Sequence, residues 1–301
     1  MTVSQEWNNA RYQNLKIRKG CEPKIIELDN NTKNSIVLVH GLTDSPYFME
    51  AIGLKFYEMG FNVYIPLLPG HGLQDPQGMK DVTLEKWEEE INFAVNYASQ
   101  RGTTVSIGGL STGGTLSVWK ALNSPDEITG GVFLFSAALG LAGLGGNFLE
   151  RLLSTRLIRR IVANKQDERA RTLVGINSDD NPYRYARMDV DGAAQLSLLI
   201  TKVQNLKLGT DRIIQPLFIA HSEYDSTADI EDVENLRRNH PNINKTEFFR
   251  IGKNFNVPHA SVVLAEDVKS KNGSPLEPKN PFFDEMMQCV YNFARQHIEF
   301  E

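Results

Sequence analysis

Residues 35–39 read Ser-Ile-Val-Leu-Val, a β-branched run with no polar alternation. A strand of that kind has no face left for water, so it suits a parallel sheet covered by helices on both sides. Runs of the same character recur at 62–66, 104–108, 131–135, 216–220 and 246–251, and 24–28 is a weaker candidate. Helical patterns fall between them. Residues 46–59 begin at a proline, which suits a first turn, and stop before Gly60. Residues 84–100 follow Thr83, an N-cap candidate, and set Trp87, Ile91, Ala94 and Ala98 on one face. Further helices are expected at 112–123, 229–239 and 281–298, the last with Phe283, Met287, Val290, Ala294 and Ile298 at helical spacing. Strand and helix in repeated alternation predict an α/β fold with a mostly parallel, doubly wound sheet.

One interval breaks the alternation. Between Phe135 and Pro216 no convincing strand is seen, while 147–163 and 191–208 read as amphipathic helices, the second ending at Gly209. A helical insertion after a sheet strand is most simply a cap over the C-terminal edge, where ligands bind in open α/β folds. The expected organisation is a core of residues 1–137 and 211–301 with a helical cap at 138–210. The Gly-rich stretch 143–146 lies inside the insertion, away from any core strand–helix junction, and reads as a flexible lead into the cap.

Composition excludes several classes. A net charge of −5 supplies no basic field for nucleic acid. The two cysteines, Cys21 and Cys289, form no C-x-x-C pair, so neither a zinc site nor a disulfide framework is expected. The histidines lack H-x-x-x-H spacing, and no metal site or cofactor is expected. The start carries neither a basic n-region nor an apolar h-region, and no apolar run reaches the ~18 residues of a membrane span, so a cytoplasmic location is the expectation. Oligomeric state is not legible. The arginines of 151–160 sit among leucines and isoleucines. They are read as the solvated side of a cap helix, with peripheral membrane contact through the cap as the alternative.

Residues 109–113 read Gly-Leu-Ser-Thr-Gly, directly after the run at 104–108. Glycines two positions either side of a serine are what a sharp strand-to-helix turn requires. The turn lifts the Ser111 hydroxyl out of the sheet and leaves the next N–H free for an oxyanion. A serine hydroxyl needs a base, and the base needs an acid that orients it. On this topology the order is serine, acid, histidine. His40 and His71 precede the serine and read as loop-structuring, and His221 reads as a satisfied residue near a strand end. His240 and His297 lie on helices, which leaves His259, in a loop beyond the last strand. The acid should follow the run at 216–220. Asp225 is favoured there, with Glu223 and Asp229 as alternatives, Asp229 also reading as a helix N-cap. Two N–H donors are needed for an oxyanion: Thr112, next to the serine, and Leu42, in the loop His40–Pro46. Gly41 and Leu110 are the further candidate substrate-binding positions.

The segments Val39–Pro46 (VHGLTDSP), Leu68–Leu73 (LPGHGL) and Gly109–Gly113 (GLSTG), with Asp225 and Val257–His259, resemble the α/β-hydrolases of the carboxylesterase, monoacylglycerol lipase and lysophospholipase group. The likeness spans about 35–260. It implies the α/β-hydrolase fold with a cap, no cofactor, and a small-molecule or lipid ester substrate with an acyl chain, cleaved through Ser111, His259 and Asp225. A thioesterase, amidase or carbon–carbon hydrolase with the same three residues, or a non-catalytic binding protein, are the alternatives. One departure is visible: the base in this group is usually followed closely by the final helix. Here 260–264 reads as a strand, and a Lys-, Gly- and Pro-rich stretch, 269–281, intervenes.

Overall fold

The computed structural model describes Trp7 and residues 11–28, 32–74, 79–80, 82–140, 173–175, 181–208, 212–270 and 272–298. The central sheet contains β1 (Lys24–Ile26), β2 (Asn34–Val39), β3 (Asn62–Ile65), β4 (Thr104–Leu110), β5 (Val132–Phe135), β8 (Leu217–Ser222) and β9 (Thr246–Ile251). Their order is β1-β3-β2-β4-β5-β8-β9. Only β1 runs antiparallel, pairing with β3; every other neighbouring pair is parallel. All of β2, β3, β5 and β8 is buried, as the unalternated runs require.

Helices α1 (Tyr47–Glu58), α2 (Leu84–Ser99), α3 (Thr112–Asn123), α4 (Val190–Leu208), α5 (Ile230–Arg238) and α6 (Phe283–His297) accompany the sheet. The pleat divides each strand between two apolar layers. Val37, Val39, Leu134 and Ile219 face one layer, with Trp87 of α2 and Leu116 of α3. Ile36, Leu38, Phe133 and Phe218 face the other, with Phe56 of α1 and Phe293 of α6. Thr83 caps α2 by accepting the Lys86 N–H, and Asp229 caps α5 by accepting the Glu231 N–H.

Three local features depart from the sequence reading. A short antiparallel pair, β6 (Leu173–Gly175) with β7 (Arg187–Asp189), lies in the interval expected to lack strands; three residues are too few to show a period. Residues Ala260–Val263 form a buried 3-10 turn instead of a strand. The β-branched pair Val262–Val263 explains the misreading, and the hydrogen bond from the Ser261 N–H to the Pro258 carbonyl explains the turn (3.1 Å). The stretch after it is a hairpin of β10 (Val268–Lys269) and β11 (Pro275–Glu277), turning through Gly273 at φ 86°. The Asn280 amide then donates to the Val262 carbonyl (3.0 Å) while its oxygen accepts the Phe282 N–H (2.9 Å), tying the start of α6 to the 3-10 turn.

The expected helix 147–163 and the glycines at 143–146 lie outside the described residues. The second expected cap helix is α4. Its Leu196, Leu199, Ile200 and Val203 belong to the same buried layer as Leu116 and Trp119 of α3. No helix among the described residues is long and apolar enough to cross a membrane.

Candidate active site

The C-terminal ends of the parallel strands deliver the site. Between β4 and α3 Ser111 takes φ 55° and ψ −117°, a conformation that side-chain-bearing residues rarely adopt. It is held by three backbone hydrogen bonds: its N–H donates to the Phe135 carbonyl (3.1 Å), and its carbonyl accepts from Thr115 (3.0 Å) and Ala138 (3.2 Å). The flanking glycines have a steric cause. A Cβ at Gly113 would lie 2.0 Å from the Val39 carbonyl oxygen, and one at Gly109 would lie 2.5 Å from both that oxygen and the Gly113 carbonyl carbon. The turn therefore closes only where β2, β4 and α3 touch through bare backbone.

Asp225 sits in the turn after β8, its side chain fully enclosed. Its Oδ1 accepts the N–H groups of Thr227 (2.8 Å) and Ala228 (3.1 Å). Its Oδ2 lies 2.6 Å from Nδ1 of His259, which arrives on the loop between β9 and the 3-10 turn. Burial alone would raise the pKa of Asp225, but His259, the neighbouring His221 and the Thr227 N–H outweigh it and hold the carboxyl below its ordinary value. The rivals are engaged elsewhere. Glu223 bonds Arg250 (3.2 Å) and the Lys253 N–H (3.1 Å), and Asp229 caps α5. His221 lies near the strand end, as expected from the sequence. It is buried on β8, its Nε2 3.4 Å from Asp225 Oδ2.

With Nδ1 committed to Asp225, the other nitrogen of His259 is buried and has no hydrogen-bond partner among the described residues. Ser111 and His259 border the same cavity of about 330 Å³, together with Leu42, Arg184, Leu196 and Tyr224. A Cβ at Gly41 would lie 3.3 Å from Ser111 Cβ, so the loop after β2 passes directly against the serine. Leu42 lines the cavity, and Thr112 is the first residue of α3, where a helical N–H has no intrahelical acceptor. Leu110, offered as a substrate-binding position, packs in the apolar layer with Phe133 and Phe135 instead; strand alternation turns it away from the cavity.

Two buried histidines brace the loops around the site. His40 Nε2 accepts the Leu68 N–H (3.1 Å) while Nδ1 donates to the Gly41 carbonyl (2.9 Å). Burial and the adjacent His71 push the His40 pKa well down, and burial lowers that of His71 to about 4. Sequence reasoning missed a polar group in the cavity wall, Asp44, Arg184 and Glu277. Asp44 lay within a quoted motif, but Arg184 and Glu277 belong to irregular segments that carry no periodic signal. Among the described residues no cluster of three or more metal-ligating side chains occurs.

Comparison with known proteins identifies the relatives of the chain. The model of the family described as serine aminopeptidase, S33, matches residues 30–249. A thermostable monoacylglycerol lipase of Bacillus sp. (strain H-257) is 28% identical over 214 residues, covering 69% of this chain and 76% of that protein. Among solved structures, one from a study of two metagenome-derived lipolytic enzymes, LipS and LipT, superposes with a TM-score of 0.71 at 21% identity, over 93% of this chain and 100% of its own. A soluble variant of the monoglyceride lipase from Saccharomyces cerevisiae, solved with a substrate analog, does so with a TM-score of 0.68 at 13% identity, over 93% and 92%. The last two likenesses concern the fold, which is that of the α/β-hydrolases.

Proposed function

The chain belongs to the serine aminopeptidase S33 family of hydrolases, and from that premise we propose that it cleaves carboxylic esters through Ser111, His259 and Asp225. The coarse class is a carboxylic ester hydrolase of the α/β-hydrolase type. In the proposed reaction His259 Nε2 takes the Ser111 proton as Oγ attacks the ester carbonyl carbon. The carbonyl π pair moves onto oxygen, and the resulting oxyanion rests against the N–H groups of Leu42 and Thr112. The tetrahedral intermediate collapses, the C–O bond to the alcohol breaks, and His259 returns the proton to the leaving oxygen. Water then repeats the sequence on the acyl-enzyme, releasing the acid and restoring Ser111.

One observation carries this reading: Asp225 fixes the His259 imidazole at 2.6 Å, and its far nitrogen is buried, with no hydrogen-bond partner among the described residues, beside the cavity that Ser111 borders. An imidazole so placed is the proton acceptor a serine lacks. The proposed substrate is an acyl ester such as a monoacylglycerol or lysophospholipid. The Bacillus relative is named a monoacylglycerol lipase, and Leu196 of α4 adds an apolar side chain to the cavity wall. Residues 138–210 are proposed as the cap, with α4 as its root on the core.

A series of p-nitrophenyl esters from two to sixteen carbons, run on wild type and Ser111→Ala, tests the reading. An optimum at medium or long chains, and a loss of at least about 10³-fold in the variant, are expected. Equal rates in the two proteins would refute the assignment of the nucleophile. Matched thioester and amide substrates should turn over more slowly than the oxygen ester.

A further inference from the structure

The polar group in the cavity wall joins three distant parts of the chain. Asp44 lies in the loop after β2, Arg184 in the segment leading into β7, and Glu277 at the end of β11. The Arg184 guanidinium donates from Nε to Asp44 Oδ1 (2.9 Å), bonds the same oxygen through Nη2, and donates from Nη1 to Glu277 Oε1 (2.9 Å). Its flat face covers the Phe48 ring, 4.8 Å from the centroid. Glu277 is itself fixed by the Asn181 amide (2.8 Å). The Arg184 and Asp44 side chains are 11% and 2% exposed, so this is an enclosed network and not a surface pair.

The network bears on the oxyanion loop. A Cβ at Gly41 would fall 2.5 Å from Asp44 Oδ2, so the carboxylate folds back over the residue that precedes Leu42. Thr43, between them, holds φ 69°. A β-branched residue in the left-handed region needs outside support. The segment around Arg184 supplies it: the Tyr185 N–H donates to the Thr43 carbonyl (2.8 Å), and the Ser45 hydroxyl donates to the Tyr183 carbonyl (2.7 Å).

We propose that Arg184 is the positioning residue of the oxyanion loop, gripping Asp44 so that the Leu42 N–H faces the reacting carbonyl, and that the hairpin inserted after His259 serves to hold Arg184 through Glu277. This rests on the role given above to Ser111 and Leu42. It also gives a purpose to the extra stretch before the last helix. Burial alone would lower the pKa of Arg184, but Asp44 and Glu277 outweigh it, so the guanidinium stays charged wherever the enzyme is folded.

Single-turnover and steady-state rates on one p-nitrophenyl ester test the proposal, with active sites counted by complete fluorophosphonate labelling. Arg184→Met should lower kcat per labelled site by about 10- to 100-fold, less than outright loss of an oxyanion donor, while KM stays within about three-fold. Arg184→Lys should retain several-fold more activity than Arg184→Met, and Glu277→Gln should lose less than either. Arg184→Met strands the Asp44 and Glu277 charges, a cost to folding separate from any effect on the loop. Asp44→Asn/Arg184→Met/Glu277→Gln leaves no stranded charge and should show the same loss in kcat. Millimolar ethylguanidinium should raise the rate of Arg184→Ala and leave Ser111→Ala inert. A kcat per labelled site within two-fold of wild type in the folded variants would overturn the proposal. So would a rise in KM at constant kcat, which would make Arg184 a substrate contact. Activity in Ser111→Ala, by contrast, would sink the underlying nucleophile assignment and not the Arg184 role alone.

Discussion

At Ser111 the backbone carries a cost that chemistry alone justifies. A serine at φ 55° and ψ −117° is strained by about 1–3 kcal/mol, and glycine would relieve most of that while adding about 0.5–1 kcal/mol of unfolded-state entropy. Ser111→Gly should therefore be more stable than Ser111→Ala by about 1 kcal/mol, both being inactive. Urea denaturation of the two variants measures it, and equal midpoints would show that the turn is not strained. The glycines around the serine were legible in the sequence because their cause is local and steric. The polar residues of the cavity wall were not, because Arg184 and Glu277 acquire meaning only when irregular segments meet in space.

Among the elements, the loops at 40–46 and 68–73 depend on histidines that must stay neutral. His71 is buried with its pKa lowered to about 4 from an ordinary 6.5. Between those values the unfolded chain binds a proton that the folded one excludes, so stability falls as pH drops through that window. For His71 the full loss, reached below about pH 4, is about 3 kcal/mol, and His40 adds to it in the same direction. Thermal unfolding from pH 7.5 to 4 should show a steep decline in Tm that His71→Asn makes shallower. A Tm independent of pH over this range would contradict the account. The strands and helices of the sheet were readable because each buries a continuous or periodic face. The 3-10 turn at Ala260–Val263 was not, since β-branched composition mimics a strand when the hydrogen-bonding partner, the Pro258 carbonyl, lies only three residues back.

For the whole molecule, the sheet presents a serine, a histidine and a carboxylate at the ends of three different strands, and the insertion is proposed to cover them. Because α4 shares its apolar layer with α3, its removal should unfold the protein. Replacing residues 141–172 with a short Gly/Ser linker should leave the core intact, and should shift ester preference from long toward short acyl chains. A variant that keeps the wild-type chain-length profile would show that this stretch does not form the acyl site. The central claim, that Ser111 is the nucleophile activated by His259, is tested most directly by a fluorophosphonate followed by intact mass and peptide mapping. The account expects one adduct, on the peptide bearing Ser111, forming about 10²–10⁴-fold more slowly in His259→Ala. An adduct on another residue, or wild-type labelling speed without His259, would contradict it.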